Sequence, residues 1–165
     1  MSRGFVKEDD LEHAGTDLPE RPVSAQPNYV TPHGYWLLEQ SATKLDKERA
    51  LLIGRKDDDV AKQKLAMVDR DLRYYSAKLE SAIVVAPSQQ AKETVLFGAI
   101  VDVEDDEGET RQFSIVGEDE ADIATNKVSW ASPLAKALIG HKVGENVVWK
   151  RPAGDLNLEI TKINY

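Results

Sequence analysis

Cysteine is absent from the 165-residue chain, which removes disulfides, thiolate metal ligands and cysteine nucleophiles together, and nothing calls for an oxidising compartment. Cations are in deficit: 21 Lys and Arg against 29 Asp and Glu give a net charge of -8 and a pI near 4.9. Binding to nucleic-acid phosphates needs clustered Lys and Arg, so sequence-independent DNA binding is a poor primary activity here and a protein partner with a basic surface fits better. No apolar run approaches the roughly 20 residues of a membrane span. Met1 to Asp10 is charged and has no apolar core of signal-peptide length. The expectation is a soluble, cytoplasmic protein with no membrane partner. His13, His33 and His141 have no spacing that suggests a zinc site or a triad, and no phosphate-binding glycine loop occurs. Catalysis by the chain alone is not expected.

What the chain does have is heptad periodicity. Leu38, Leu45 and Leu52 recur every seven residues, and Ala61, Leu65, Val68, Leu72, Tyr75, Leu79 and Ala82 step alternately by four and three. Two such helices joined across Gly54 and three aspartates predict an antiparallel coiled-coil hairpin with an acidic tip. Thr31 before Pro32 supplies an N-cap with proline at the first helical position. Helix one is expected to run to about Leu52, with Trp36 and Leu37 near its base. Its seam is broken where Glu48 or Arg49 stands between Leu45 and Leu52. Helix two is expected from about Asp58 to Ser81. Upstream, residues 1–30 mix acids with Pro19, Pro22 and Pro27 and read as a flexible leader.

After residue 83 the pattern changes. Residues 84–94, with Ala86-Pro87-Ser88-Gln89-Gln90, read as a linker. Phe97, Ala99, Val101 and Val103 then alternate up to the turn Asp105-Asp106-Glu107-Gly108, and a second alternating run passes through Phe113 and Ile115, which describes a β-hairpin. Ser132-Pro133 caps a short helix, Leu134 to Ile139, that Gly140 ends. Strands from Asn146 to Arg151 and Leu156 to Ile163 flank the turn Pro152-Ala153-Gly154-Asp155. The fold class is α+β: a helical hairpin over 31–83, followed over 95–165 by an antiparallel sheet with one short helix.

Several stretches resemble the bacterial Gre factors, which act on RNA polymerase during elongation. They are Asn28-Tyr29-Val30-Thr31-Pro32 with Gly34, Phe97-Gly98-Ala99, Ile115-Val116-Gly117 with Asp119-Glu120-Ala121-Asp122, and Ser129 with the run Ser132 to Gly140. Val143-Gly144 and Pro152-Ala153-Gly154 complete the set. The leader Ser2 to Asp10 is similar to GreB-like sequences. The resemblance implies an FK506-binding-protein-like domain docked on the rim of the polymerase secondary channel, with the coiled-coil arm inserted toward the active centre. It also implies tip carboxylates, here Asp57, Asp58 and Asp59, that share a second magnesium ion with the polymerase. A hard cation takes carboxylate oxygens, and a second metal can stabilise both the attacking and leaving oxygens of phosphodiester hydrolysis. No cofactor is expected on the isolated chain, and the protein is expected to be a monomer meeting nascent RNA only through the complex.

The tip departs from the family signature Gly-Asp-x-x-Glu-Asn-Ala: Gly54-Arg55-Lys56-Asp57-Asp58-Asp59 stands in its place. Each arm is also shorter by about one heptad, roughly 10 Å at 1.5 Å per residue. Aspartates in a first helical turn also serve as caps and dipole partners. Arg55, Lys56, Lys62 and Lys64 are candidates for contact with RNA or channel acids, or a solvated helix surface. Ser129, Trp130, Ser132 and Pro133 match the family's docking loop, with Ala131 where the family has an acid; a strand end and a capped helix explain the same residues. Three other readings stand beside the leading one. The first is a channel-occupying regulator without cleavage, similar to the regulators of nucleoside diphosphate kinase. The second is a prolyl isomerase, since Ala137 to Gly140 with Val143-Gly144-Glu145 also resembles FK506-binding proteins. The third is a plain coiled-coil adaptor.

Overall fold

The computed structural model describes residues 18–165 apart from Lys56. Most of the expected leader, including His13, and the candidate Lys56 lie outside the described residues. By contacts the chain forms two units: described residues 18–24 with Leu38–Glu80, and Ala25–Leu37 with Ser81–Tyr165.

The first unit holds the helical hairpin apart from the first residues of its first helix. Helix α1 spans Pro32–Ile53 and α2 spans Asp59–Ser81. Leu52, Ala61 and Val68 are buried, with Leu45, Leu65 and Leu72 packed on them. These are seam residues named by the heptads, and the contacts run antiparallel. At the break in the first seam, Arg49 Nε donates to Asp69 Oδ1 at 2.7 Å, so the hairpin fills the gap with an interhelical ion pair. Residues 20 and 21 belong to this unit as well. Arg73 donates to the Glu20 carboxylate at 2.6 to 3.1 Å, and the Arg21 guanidinium lies 3.9 Å from the centre of the Tyr74 ring and 3.4 Å from Asp71. This end of the leader is clipped to α2 by charge and cation–π contacts.

The second unit is built on a five-stranded sheet of order β5-β4-β3-β7-β6. Its strands are β3 (Ile100–Asp105), β4 (Thr110–Val116), β5 (Lys127–Ser129), β6 (Asn146–Trp149) and β7 (Leu156–Asn164). The β3–β4 hairpin turns where the sequence placed it, with Asp105 Oδ1 accepting from Glu107 N and Glu109 N, each at 2.9 Å. Pairing is antiparallel as expected, except that β5 joins the edge parallel to β4. A bulge at Asp102/Val103 shifts the register between β3 and β7. Helix α3 (Pro133–Leu138) packs Leu134, Ala135 and Leu138 into the core with Val101, Val103, Ile115 and Ile160.

The unit also holds a pairing that periodicity does not reveal. Tyr29–Val30 (β1) and Ile83–Val84 (β2) form a two-stranded parallel sheet, through Ile83 N to Asn28 O at 2.8 Å and Val85 N to Val30 O at 2.9 Å. Residues 25–37 thus belong with the sheet unit, whereas the sequence reading leaves 1–30 as leader and opens the hairpin at 31. The stretch read as a linker begins in β2 and contains a 3-10 turn, Pro87–Gln89. Trp36, expected near the base of helix one, is half exposed and stacks on His33, ring centres 5.7 Å apart.

Candidate functional site

Chain reversal between α1 and α2 starts from a backbone turn in which Arg55 N donates to Leu52 O at 3.0 Å. Asp58 then caps α2: its Oδ1 accepts from Val60 N at 2.9 Å and Ala61 N at 3.3 Å. Asp59 opens the helix, where its charge complements the positive end of the dipole. All three aspartates are exposed. Asp58 has one oxygen committed to backbone amides, so Asp57 and Asp59 are the tip carboxylates outside the cap. Among the described residues no group of three or more His, Cys, Asp and Glu is disposed to hold a metal ion. The donors suit a hard cation chemically, but they stand as single carboxylates and do not form an ion cage.

Of the basic candidates, Arg55 and Lys62 come together on a groove of about 380 Å³ that Leu52, Ile53 and Leu65 also line; Lys64 is exposed and does not line it. The tip also displays apolar groups that the seam analysis overlooked. Leu51 and Val60 are exposed on either side of the turn, and Ile53 is partly so. Their signal was the run Leu51-Leu52-Ile53, of which a heptad seam can bury only one member.

In the sheet domain, the loop candidates form one local construction. Ser129 Oγ accepts from Ala131 N at 3.2 Å and Ser129 O from Ser132 N at 2.9 Å. Ser132 Oγ accepts from Ala135 N at 3.2 Å, with Pro133 at the start of α3. Trp130 turns inward: its ring meets Tyr29 edge-on at 5.1 Å, and its Nε1 is buried with no hydrogen-bond partner among the described residues.

Beside Ser132 and Pro133 opens an apolar cleft of about 250 Å³. Phe113, Val128, Leu134 and Trp149 line it, with Asn126 and Ile123, and Phe113 and Trp149 meet edge-to-face at 5.9 Å. Ile123 is 93% exposed. The sequence reading missed these residues as a group, although a lone isoleucine after Asp119-Glu120-Ala121-Asp122 was a legible oddity. Elsewhere Tyr165, at the end of β7, ties that strand to the segment before β3: its hydroxyl accepts from Leu96 N at 2.7 Å and donates to Thr94 O at 2.5 Å. Burial raises its pKa, and the Leu96 amide opposes the rise.

Comparison with known proteins agrees with this architecture. Residues 89–165 match the family model described as "Transcription elongation factor, GreA/GreB, C-term". Transcription elongation factor GreB of Neisseria meningitidis serogroup B is 35% identical over 153 residues, which cover 84% of this chain and 94% of that protein. GreA of Thermodesulfovibrio yellowstonii is 38% identical over 151 residues, covering 82% and 96%. Among solved structures, GreA factor homolog 1 of Thermus thermophilus aligns with a TM-score of 0.42 at 26% identity, covering 85% of this chain and all of that one. Identities of 35% and 38% to GreB and GreA, over more than four fifths of this chain and more than nine tenths of those proteins, together with the C-terminal family match, place the chain in the GreA/GreB family of transcription elongation factors.

Proposed function

We propose that the chain binds bacterial RNA polymerase at its secondary channel through the sheet domain and presents the acidic hairpin tip to backtracked or paused complexes. The exposed tip of Asp57 and Asp59, at the end of helices of 22 and 23 residues, is the observation that carries this reading. At 1.5 Å per residue those helices are about 33 and 35 Å long, which suits a probe better than a packing element. The loop from Ser129 to Pro133 and the neighbouring cleft with Trp149 and Ile123 offer a docking face. Polymerase performs the hydrolysis in the cytoplasm and this chain, a monomer, lends a carboxylate. Magnesium shared with the polymerase would supply Lewis-acid stabilisation of the oxygens in phosphodiester hydrolysis. Asp57 and Asp59 would hold it from this side, while Asp58 keeps the helix start in place. Arg55 and Lys62 lie next to the tip, where their charge favours nascent RNA.

A second reading, occupation of the channel without cleavage, is supported by the lack of a carboxylate trio among the described residues and by the shorter arms that the sequence predicts. One experiment separates them. Purified protein is added to artificially backtracked complexes in magnesium and shortening of the RNA 3′ end is followed, with Asp57→Ala, Asp58→Ala and Asp59→Ala in parallel. Cleavage that falls at least about tenfold in Asp57→Ala or Asp59→Ala supports the metal-assisting tip. Binding without cleavage by the unaltered chain selects the channel-occupying regulator, and failure to bind core polymerase rejects both.

A further inference from the structure

Glu120, in the connection after β4, is 6% exposed at its side chain although nothing in an elongation factor's chemistry asks for an acid there. Its partners identify a task. Thr31, itself 7% exposed, donates its hydroxyl proton to Glu120 Oε1 at 2.5 Å. The same Thr31 oxygen accepts from Gly34 N at 2.9 Å, which caps α1. Lys127 Nζ on β5 stands 3.8 Å from Glu120 Oε2. All of these residues belong to the second unit.

The cap is complete without Glu120, because the Gly34 amide needs only the threonine oxygen. What Glu120 adds is a bond from that cap to the sheet. Two glycines keep the approach close. A Cβ on Gly34 would sit 2.7 Å from Glu120 Oε1, and one on Gly117 would run into the Tyr29 carbonyl oxygen. The carboxylate also faces the first turn of a helix, where the dipole favours an anion.

From these contacts we infer that Glu120 is a positioning residue that fixes the first turn of α1 on the sheet domain and so limits where the far end of that helix can go; the inference rests on the arm-projecting function proposed above. The lever is long. A swing of about 10° at the root moves the end of a helix about 33 Å long by roughly 6 Å. A carboxylate that shares an ion must be placed to within a few tenths of an ångström of a 2 Å bond, so a loose root wastes the tip.

The full chain lacks cysteine, so cysteines introduced in place of exposed Lys47 and Lys162 give a clean spin-labelled pair for measuring a distance distribution. Glu120→Ala and Thr31→Val are expected to broaden that distribution by at least about twofold, while Glu120→Gln and Thr31→Ser, which keep an acceptor and a hydroxyl, retain the native width. Tryptophan fluorescence confirms a folded sheet domain in each variant; if Glu120→Ala does not fold, the Thr31 pair decides. Unchanged width in the disrupting variants overturns the inference, as does equal broadening in the conservative ones. With paused polymerase, the disrupting variants should lose about tenfold in effect at saturation while affinity shifts less than about twofold, a split that general destabilisation does not produce. A wild-type chain inert on polymerase would count against the proposed function, and the spin-label result would still decide the latch.

Discussion

In the sheet domain twelve residues make one buried cluster, and Val95, Val101, Val103, Ile115, Leu138 and Ile160 among them have no solvent exposure at all. The hairpin's cluster has three buried members, Leu52, Ala61 and Val68. Even with Leu38 and Lys78, which are buried outside that cluster, the hairpin buries far fewer of its described residues than the sheet does, too few to hold two helices of 22 and 23 residues as tightly. The hairpin compensates with directional contacts at its surface: Arg49 to Asp69 between the helices, and Glu20 with Arg73 and Arg21 with Tyr74 along α2. One region is stabilised by burial, the other by a thin seam with polar clips. The sheet should therefore unfold as a unit and the hairpin open locally at lower cost.

The sharpest way to break this contrast is to cut each core. Leu158→Ala, at a position 1% exposed, is expected to cost the sheet about 3 to 5 kcal/mol, because a void there cannot collapse. Leu52→Ala, at the thin end of the seam, is expected to cost nearer 2 kcal/mol. Denaturation followed by tryptophan fluorescence for the sheet and by helical circular dichroism for the hairpin checks both values. A shift of both signals together in Leu52→Ala would mean that the two regions unfold as one. A smaller effect distinguishes the tip aspartates: Asp58→Ala should destabilise the start of α2 by about 1 kcal/mol through loss of its cap. Asp57→Ala should stay within about 0.5 kcal/mol. Amide exchange at Val60 and Ala61 reads the difference.

The smallest effect belongs to the leader clip. The hydrogen bond from Arg73, with a lesser contribution from that residue's charge, holds the Glu20 carboxyl below its ordinary value of 4.5. A carboxylate with a lowered folded pKa contributes stability that is fully present above 4.5 and fades as pH falls through the folded value. Both side chains are more than half exposed, so the contribution is slight and salt-sensitive. The unfolding difference between wild type and Glu20→Gln should be present near about pH 6 and fade as the pH is lowered below 4.5. A difference that persists in acid would show that Glu20 acts by packing instead of charge.

The hairpin was legible because Leu38, Leu45, Leu52 and the α2 seam repeat over several turns, and the starts of α1 and α3 announced themselves as Thr31-Pro32 and Ser132-Pro133. The β3–β4 hairpin was legible for the same kind of reason, alternation ending in an acidic turn with Gly108. Two-residue strands carry no period, so β1 and β2 were invisible, and the parallel β5 edge is hardly longer. The tie between Thr31 and Glu120 spans 89 positions, and no local rule connects them. Of the site, the tip aspartates and docking loop could be named from sequence, but not their division of labour. Only coordinates distinguish Asp58 as a cap from Asp57 and Asp59, turn Trp130 inward, and bring Trp149 and Ile123 beside Pro133.

Because β1 and β2 are parallel, with Tyr29 beside Ile83 and Val30 beside Val84, residues 31–82 form an excursion that leaves one end of this short ladder and returns at the other, about three residues or roughly 10 Å along it. An insertion rooted at both ends on one short ladder is modular. Whole heptads can be deleted from or added to both helices, in matched pairs, while the strands that bracket them keep their register. Arm length is thus a quantity that selection or an engineer can tune without redesigning the domain that carries it, and a graded series of arms on one unchanged base is a construction this fold makes available.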